Sequence, residues 1–538
     1  MRQWMVAAKK ADFYAIAEKF HVDPVVARII RNREVIGEKN IRIYLGGNLS
    51  DLSDPHQMKD MDRLVEILAQ KIRKQVHIRI IGDYDVDGVT SSHLFLTALR
   101  RVGTKVDVVI PHRIQDGYGL SLHLLQQAKE DGVDTILTCD NGIAAIDEIA
   151  WAKAQKMTVL VTDHHAVPFE EHEGRRTEKK SLADAVVNPH QQDCGYPYKE
   201  LCGAGVAWNV IRVLYENYDM DKREAEDLLD FVAMATVCDV MSLTGENRIL
   251  VKEGLKRIRH TKNIGLQALM QACNVQPENI SAYHFGYVLG PCVNATGRLD
   301  TARHALRLFE TGQETEAEEI ARDLVDLNQE RKELTLQGVE MAKKLCEEGG
   351  YENDPVLVLF LPDVHESIAG LIAGRIREMY NRPVFVLTRG EEGVKGSGRS
   401  TENYSMYENM CGCAELFTKF GGHPMAAGLS LPEENVEKFR RKINENCPLT
   451  VEEVCPDIHI DMAMPVGYAS TELVHQFALL EPFGKDNPSP LFADRNLSIS
   501  RMWVIGKNRN VLRMSVLSEY GQPVCSHSCS HSFFISDH

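Results

Sequence analysis

No stretch of this 538-residue chain approaches the roughly eighteen consecutive apolar residues that a membrane-spanning helix requires. Basic charge is also in short supply. Its 61 lysines and arginines stand against 77 aspartates and glutamates, a net charge of −16, which argues against a surface coated in positive charge for wrapping nucleic acid. Any nucleic-acid path must be a local basic stripe. The 13 cysteines lack the spacing of a secreted domain, so reduced thiols are expected. Cys411-Gly412-Cys413 has no second cysteine pair nearby to complete a zinc site. The segment Met1 to Lys10 lacks an apolar core of signal-peptide length. These shortages point to a soluble, cytoplasmic protein with no membrane partner, long enough for three or four domains.

What is present is a recurring pattern of apolar runs that end in acidic residues or histidine. Ile78–Ile81 leads into Asp83-Tyr84-Asp85-Val86-Asp87-Gly88, Thr135–Thr138 into Cys139-Asp140-Asn141-Gly142, and Thr158–Thr162 into Asp163-His164-His165. Helix-like stretches separate them. Strand-helix alternation of this kind predicts an α/β fold with a doubly wound parallel sheet. The expected organisation is multi-domain. A helical segment over 1–75 packs on an α/β domain over 76–310, and one charged connector helix runs over 311–350. A smaller α/β domain follows over 351–454, then a β-rich region over 455–538.

In an open parallel sheet the carboxyl ends of the strands line one crevice, and ligands bind there. Carboxylates crowded into it repel unless a cation sits among them. Asp83, Asp85 and Asp87 alternate, so an extended backbone would turn all three to one side. Asp140 and His164 come from neighbouring strand ends, and Asp239 follows a predicted helix. Oxygen-rich ligands with one or two imidazoles suit Mn²⁺ or Mg²⁺ better than zinc. Two such ions about 3.5–4 Å apart can clamp the attacking and leaving oxygens of an in-line displacement at phosphorus. The competing reading makes these aspartates helix caps and loop solubilisers. It fits Asp239 alone as well as the metal reading does, but not the set.

At these residues the chain resembles the DHH phosphoesterase superfamily, and within it the bacterial RecJ family of single-strand DNA exonucleases. The resemblance extends to Asn294-Ala295-Thr296-Gly297-Arg298, Gly396-Ser397-Gly398-Arg399-Ser400 and Gly421-Gly422-His423-Pro424-Met425-Ala426-Ala427-Gly428. It implies a DHH domain, a DHHA1 domain and a partial OB-like barrel. It also implies two Mn²⁺ ions, with Mg²⁺ as substitute, held by Asp83, Asp85, Asp87, Asp140, His164 and Asp239. Asp140, His164 and His165 would act in catalysis, with His165 at the scissile phosphate or leaving oxygen. Arg113, Asn294, Arg298, Ser397, Arg399 and His423 would contact substrate. Single-stranded DNA cut 5′-to-3′ in recombination and repair, with a single-strand-binding protein and a helicase as partners, completes what the family implies. Taken alone, Gly396–Arg399 reads as a surface turn whose glycines let backbone N–H groups approach a phosphate. Arg113 and Arg298 alone read as ordinary surface arginines.

Two alternatives stay in view. Shorter relatives degrade oligoribonucleotides or cyclic dinucleotides, and relatives with eroded motifs are non-catalytic replication scaffolds; here no carboxylate of the set is missing. The end of the chain departs from the family pattern. Leu497–Ile505 and Val511–Leu517 read as strands, but the strand expected after Val524 is replaced by a Ser/His/Cys-rich stretch to His538. An incomplete barrel and a truncated or frame-shifted tail are expected, with a metal-binding tail through Cys525, His527, Cys529 and His531 as the lesser reading.

Overall fold

The computed structural model describes residues 4–112, 116, 119–172, 175–299, 301–351, 353–390, 393–450, 458–505, 511–517 and 523–529. The chain divides into two compact units, Leu49–Pro456 and a second made of Met1–Asn48 with Asp457–His538. The helical segment expected to pack as one piece over 1–75 is therefore split. Its first part folds with the C-terminal region, while Met58 and the helix Met61–Arg73 join the α/β sheet's core, with Leu49 and Leu52 packed against it.

The larger unit is built on a five-stranded, wholly parallel sheet ordered Val106–Val109, Ile78–Ile81, Thr135–Cys139, Thr158–Thr162 and Ala185–Val187. The three central strands are near-continuous apolar runs because both faces are covered, as parallel sheets require. Ile80, Leu137 and Leu160 face one core, packed against Val86–Arg101 and Gly203–Asn217. Ile81, Ile136, Val159 and Val161 alternate to the other face, under Leu122–Glu130 and Ile146–Ala154. The first strand thus sits between the second and third. The order reverses there, and a crevice opens beyond the carboxyl ends of Ile78–Ile81 and Thr135–Cys139.

Helices follow from Gly203 to Glu310, and then a single helix, Glu314–Glu348. Its first half buries Ala317, Ile320, Ala321 and Leu324 in the core of the parallel sheet, and its second half buries Val339, Ala342 and Cys346 in the next core. It is a strut rather than a linker. The next sheet is ordered Lys419–His423, Ala426–Leu431, Gly393–Arg399, Val384–Gly390 and Leu357–Phe360. Only its last pair is parallel. The glycine-rich segment over 393–400, expected as a turn, is a central strand of this sheet. A Cβ on Gly396 would come within 2.4 Å of Leu387, and one on Gly398 within 2.6 Å of Met406. These glycines exist to let the core close.

In the smaller unit, Trp4–Val6 pairs in parallel with Ile458–Ile460. Val26, Ile29, Ile30, Ile41 and Tyr44 pack on Met464, Leu473 and Leu480. Arg33 reaches both oxygens of Asp461, at 2.7 and 3.0 Å, and adds a bond to the Pro488 carbonyl. This buried, two-pronged pair ties the two ends of the chain together. Strands Ser498–Ile505, Val511–Leu517 and Pro523–Cys529 form an antiparallel sheet. The third strand includes Cys525, where none was expected. A ladder uses backbone groups, which Ser, His and Cys carry as well as Val does. Among the described residues this region holds only small sheets and no closed barrel. The side chains of Cys525, His527 and Cys529 and all of His531 lie outside the described residues.

His93 sits 5% exposed in the helix Val86–Arg101, its ring 4.4 Å from Phe231 and 5.8 Å from Phe309. Burial, aided by Arg100 and Arg101, pushes its pKa down to about 3. A histidine lowered in the folded state costs stability as pH falls below the unfolded value near 6.5, because only the unfolded chain takes up the proton. Between pH 6.5 and 5 that is about 2 kcal/mol. His93→Leu should therefore gain about 2 kcal/mol on the parent between pH 7 and pH 5 in urea titrations. A parent–variant difference that does not change with pH would refute this.

Candidate metal centre

The crevice at the switch point collects the side chains that the strand ends deliver. Asp83 follows the first strand, Asp140 the third and His164 the fourth. Three overlapping sets of donor atoms lie within 4.8 Å of one another: Asp83, Asp85 and Asp140; Asp87, His164 and Asp239; Asp140, His164 and His165. His164 is the hub. Its Nε2 stands 3.1 Å from Asp140, 3.5 Å from Asp239 and 3.6 Å from Asp87.

The loop that carries the three alternating aspartates does not stay extended. Asp85 caps the helix Val86–Arg101, accepting from the Gly88 N–H at 3.0 Å, and Asp87 lies in the first helical turn. Capping and a place in the donor ring coexist in one residue, so the two readings of the aspartates were not exclusive. Asp87 is buried and accepts two short bonds, 2.6 Å from the Gly203 N–H and 2.7 Å from the Ala204 N–H. These are unpaired donors at the start of the helix Gly203–Asn217, where the dipole also favours negative charge. Gly203 must be glycine: a Cβ would fall 2.6 Å from the Cβ of Asp140. Gly88 is equally constrained, with the Asp83 backbone 2.5 Å away. Asp140 itself adopts φ 61°, a left-handed backbone that turns its carboxylate into the ring.

The electrostatics follow from crowding. Burial, then the charges of Asp87, Asp85, Asp239 and Asp83, push the Asp140 carboxyl well above the ordinary carboxylate range. Burial and the charge of Asp87 also raise the Asp85 carboxyl. Burial holds His164 below the usual imidazole value, which keeps a nitrogen lone pair available. His165 behaves oppositely. Burial opposes its charge, but the 2.8 Å bond from Nδ1 to Asp163 prevails and raises it to about 9. Asp163 also accepts from the backbone N–H groups of Ile143, His164 and His165. It is an orienting residue, absent from the donor sets, and the Asn188 side chain adds a bond to the His165 carbonyl.

A ring of buried carboxylate oxygens around a neutral imidazole fits hard divalent cations that accept oxygen with some nitrogen. The rise at Asp140 and Asp85 has the form expected of a cation site: like charges are held together whose repulsion a bound ion would relieve.

The expected substrate residues fall into three groups. Arg113 lies outside the described residues. Asn294 accepts the Val86 N–H at 3.2 Å and so supports the aspartate loop from behind. Arg298 donates to the Ser367 carbonyl at 2.7 Å, bridging the two α/β domains. Ser397, Arg399 and His423 belong to the second sheet, where register pairs Arg399 with Ala426 and Ala426 with His423. Ser397 and Arg399 alternate with the core-facing glycines, so they share the opposite face. That face carries a groove of about 410 Å³ lined by Ser367, Lys395, Ser397, Lys419, Gly421 and Ser430. Lys395 is half-buried and pairs with Glu366 at 2.8 Å. Sequence reading missed Asp163 as an orienting group, Gly203 and Ala204 as the grip on Asp87, and the two lysines. A glycine-rich helix start is a visible signal for the grip, but nothing local says which carboxylate it meets.

Residues 77–236 match the DHH family N-terminal domain, residues 353–447 the DHHA1 domain and residues 460–525 the RecJ OB domain. The single-stranded-DNA-specific exonuclease RecJ of Bacillus subtilis is 32% identical over 515 residues, covering 95% of this chain and 64% of that protein. The protein of that name from Haemophilus influenzae is 34% identical over 518 residues, covering 93% of this chain and 88% of that one. The crystal structure of RecJ with Mn²⁺ from Thermus thermophilus superposes with a TM-score of 0.81 at 26% identity, covering 97% of this chain and 74% of that one. With three domains matched in order and relatives above 30% identity across most of its length, the chain belongs to the RecJ family of DHH-domain nucleases.

Proposed function

We propose that this protein is a divalent-metal-dependent exonuclease that removes nucleotides from single-stranded DNA in the 5′-to-3′ direction, with Mn²⁺ as the favoured ion and Mg²⁺ as a substitute. The observation that carries the reading is the donor ring around His164, set beside His165, whose Nδ1 bonds Asp163 at 2.8 Å. Asp83, Asp85, Asp87, Asp140, His164 and Asp239 would hold two ions. Bound there, the cations supply Lewis acidity and charge neutralisation for attack of water on a phosphodiester. The chain's own groups do the rest. Backbone N–H groups at Gly203 and Ala204 keep Asp87 aimed. With Nδ1 engaged by Asp163, His165 offers Nε2 to a phosphate or departing oxygen and carries the proton that oxygen needs. Arg399, Ser397 and His423, from the second sheet, would grip the strand's terminal phosphate. Recombination and repair, and work beside a single-strand-binding protein and a helicase in the cytoplasm, are the setting that the family resemblance implies. Among the described residues no helix is long and apolar enough to cross a membrane.

A side-by-side assay on 5′-phosphorylated DNA strands, short RNA, cyclic dinucleotides and pyrophosphate, each with Mn²⁺, Mg²⁺ or chelator, tests the reading. Rapid release of mononucleotides from the 5′ end of DNA with either metal is expected. Preference for cyclic dinucleotides or short RNA would replace the substrate assignment.

Asp140→Asn should lower turnover on single-stranded DNA by about a hundredfold or more, because it removes a shared donor of two sets. In chelator the variant should melt no lower than the parent, since one of the repelling charges is gone. Residual activity above roughly a tenth of the parent's would sink the ligand assignment.

Arg399→Ala should weaken strand binding and flatten the dependence of log Kd on log salt by about one phosphate contact. Filter binding without metal, from about 50 to 300 mM salt, measures both. An unchanged slope would make Arg399 a purely structural residue of the second sheet.

A further inference from the structure

The thiols of this chain are not alike. Burial pushes Cys139 up to about 12 and Cys346 and Cys413 up to about 11. It raises Cys202, Cys238 and Cys447 as well. Buried thiols of that kind are inert. Cys292 goes the other way. It is buried, yet its Sγ stands 3.7 Å from the Sγ of the half-buried Cys273, and it accepts from the Asn328 amide at 3.3 Å. The bond shared with Cys273, then the Asn328 amide and the charges of Lys332 and Arg331, hold the Cys292 thiol below its ordinary value against the effect of burial. The same bond, with burial and the charge of Cys292, raises Cys273. The Nε of Arg331 is buried without a hydrogen-bond partner among the described residues, and a negative sulfur nearby offsets the cost of that burial.

Position gives the pair leverage. Cys273 closes the helix Ile264–Ala272, and Cys292 lies in the helix Gly290–Leu299. Along that second helix, Asn294 accepts the Val86 N–H of the aspartate loop and Arg298 bonds the Ser367 carbonyl. Between them, a Cβ on Gly297 would stand 2.4 Å from the Tyr84 carbonyl oxygen. The helix fits against the metal loop with no slack, so a shift at Cys292 is passed on.

We propose that Cys273 and Cys292 are a redox pair that a hydroperoxide closes into a reversible disulfide, and that the closure shifts the helix Gly290–Leu299 and weakens the metal centre. The effect on cleavage rests on the nuclease reading above. The Cys292 thiolate attacks one oxygen of hydrogen peroxide, which reaches it past the partly exposed Cys273. The O–O bond breaks, and hydroxide leaves with the electron pair and takes a proton from solvent. The Cys273 sulfur then attacks the sulfenic sulfur. The S–S bond forms as the S–O bond breaks, and the departing hydroxyl takes the Cys273 proton and leaves as water. Both sulfurs are oxidised, the peroxide is reduced, and two thiols and one peroxide give one disulfide and two waters. A disulfide holds its sulfurs about 2.05 Å apart, so the pair must close by about 1.6 Å. The bond also removes the negative sulfur that Asn328, Lys332 and Arg331 face. A low thiol beside a resolving cysteine is the arrangement of a peroxide sensor.

The test uses the full chain with Mg²⁺ bound. The protein is treated with a small molar excess of hydrogen peroxide, then catalase, and the remaining thiols are alkylated. Trypsin leaves both cysteines in one peptide, residues 263–298, and cleavage after Glu278 then yields two halves that only a disulfide holds together. Mass spectrometry should find the halves joined, and apart after dithiothreitol. Turnover of a 5′-phosphorylated DNA strand at limiting Mg²⁺ should fall at least about fivefold, the coupling expected between two linked sites, and dithiothreitol should restore it. Cys273→Ser should keep the activity of the reduced parent and show neither the joined halves nor the loss. No joined halves in the treated parent, or joined halves with unchanged turnover, overturns the proposal. So does an equal loss in Cys273→Ser, which would place the damage at another thiol. Should that variant fail to fold, the parent decides alone, through the joined halves and the reversal by dithiothreitol. A reduced parent that cuts no DNA strand defeats the nuclease reading instead. Mn²⁺ calorimetry on reduced and joined protein then decides the proposal: weaker binding in the joined form supports it, and equal binding overturns it.

Discussion

Mutual repulsion among five carboxylates in a nearly dry crevice is the constraint around which the rest of the larger unit is arranged. Asp87, Asp140 and Asp239 converge on one imidazole, Asp140 also clusters with Asp83 and Asp85, and each needs a reason to stay. Asp87 is held by the N-terminus of the helix Gly203–Asn217. Asp85 is held by the start of the helix it caps. Asp140 is held by a left-handed backbone and by the bare glycine at 203 that leaves it room. Such an assembly is costly without cations, and the cost is met by the folding of the surrounding sheet and helices. Selection for a metal centre explains why the cost is carried.

The second sheet contributes a different chemistry through rigid connections. The helix Glu314–Glu348 is buried in one core at its start and in another at its end. Arg298 crosses from the helix that supports the aspartate loop to the Ser367 carbonyl. A basic, glycine-lined face thus belongs to the same unit as the metal ring. Its lysines and arginine carry positive charge that the chain as a whole lacks. On the proposed function, a strongly acidic protein would handle a polyanion by confining basic charge to the path the polyanion takes.

Much of this was legible beforehand, for a physical reason. Parallel strands buried on both faces must be continuous apolar runs, so Ile78–Ile81, Thr135–Cys139 and Thr158–Thr162 announce themselves, and with them the residues at their carboxyl ends. The long helix Glu314–Glu348 was equally plain, because its periodicity is local and no proline interrupts it. Some antiparallel elements were not, although Ser498–Ile505 and Val511–Leu517 were. Gly393–Arg399 looks like a turn because its glycines answer to Leu387, Phe385 and Met406, and only the closed sheet brings those side chains against it. The strand through Cys525 carries no apolar alternation, because its pairing with Val511–Leu517 is made by backbone groups.

The sequence by itself determined which residues can bind metal, where the parallel strands run and how the α/β domains alternate, because burial on both faces and the chemistry of Asp and His are local properties of the chain. Tertiary structure alone decided which partner each group meets. It joined the first 48 residues to the segment beginning at Asp457 through Arg33 and Asp461, gave Asp87 to Gly203 and Asp163 to His165, and left Tyr283 and Tyr287 in solvent beside the helix end that carries Asp239. Those outcomes depend on contacts between segments up to hundreds of residues apart, whose geometry is set by the closing of whole cores and is written in no single stretch of chain.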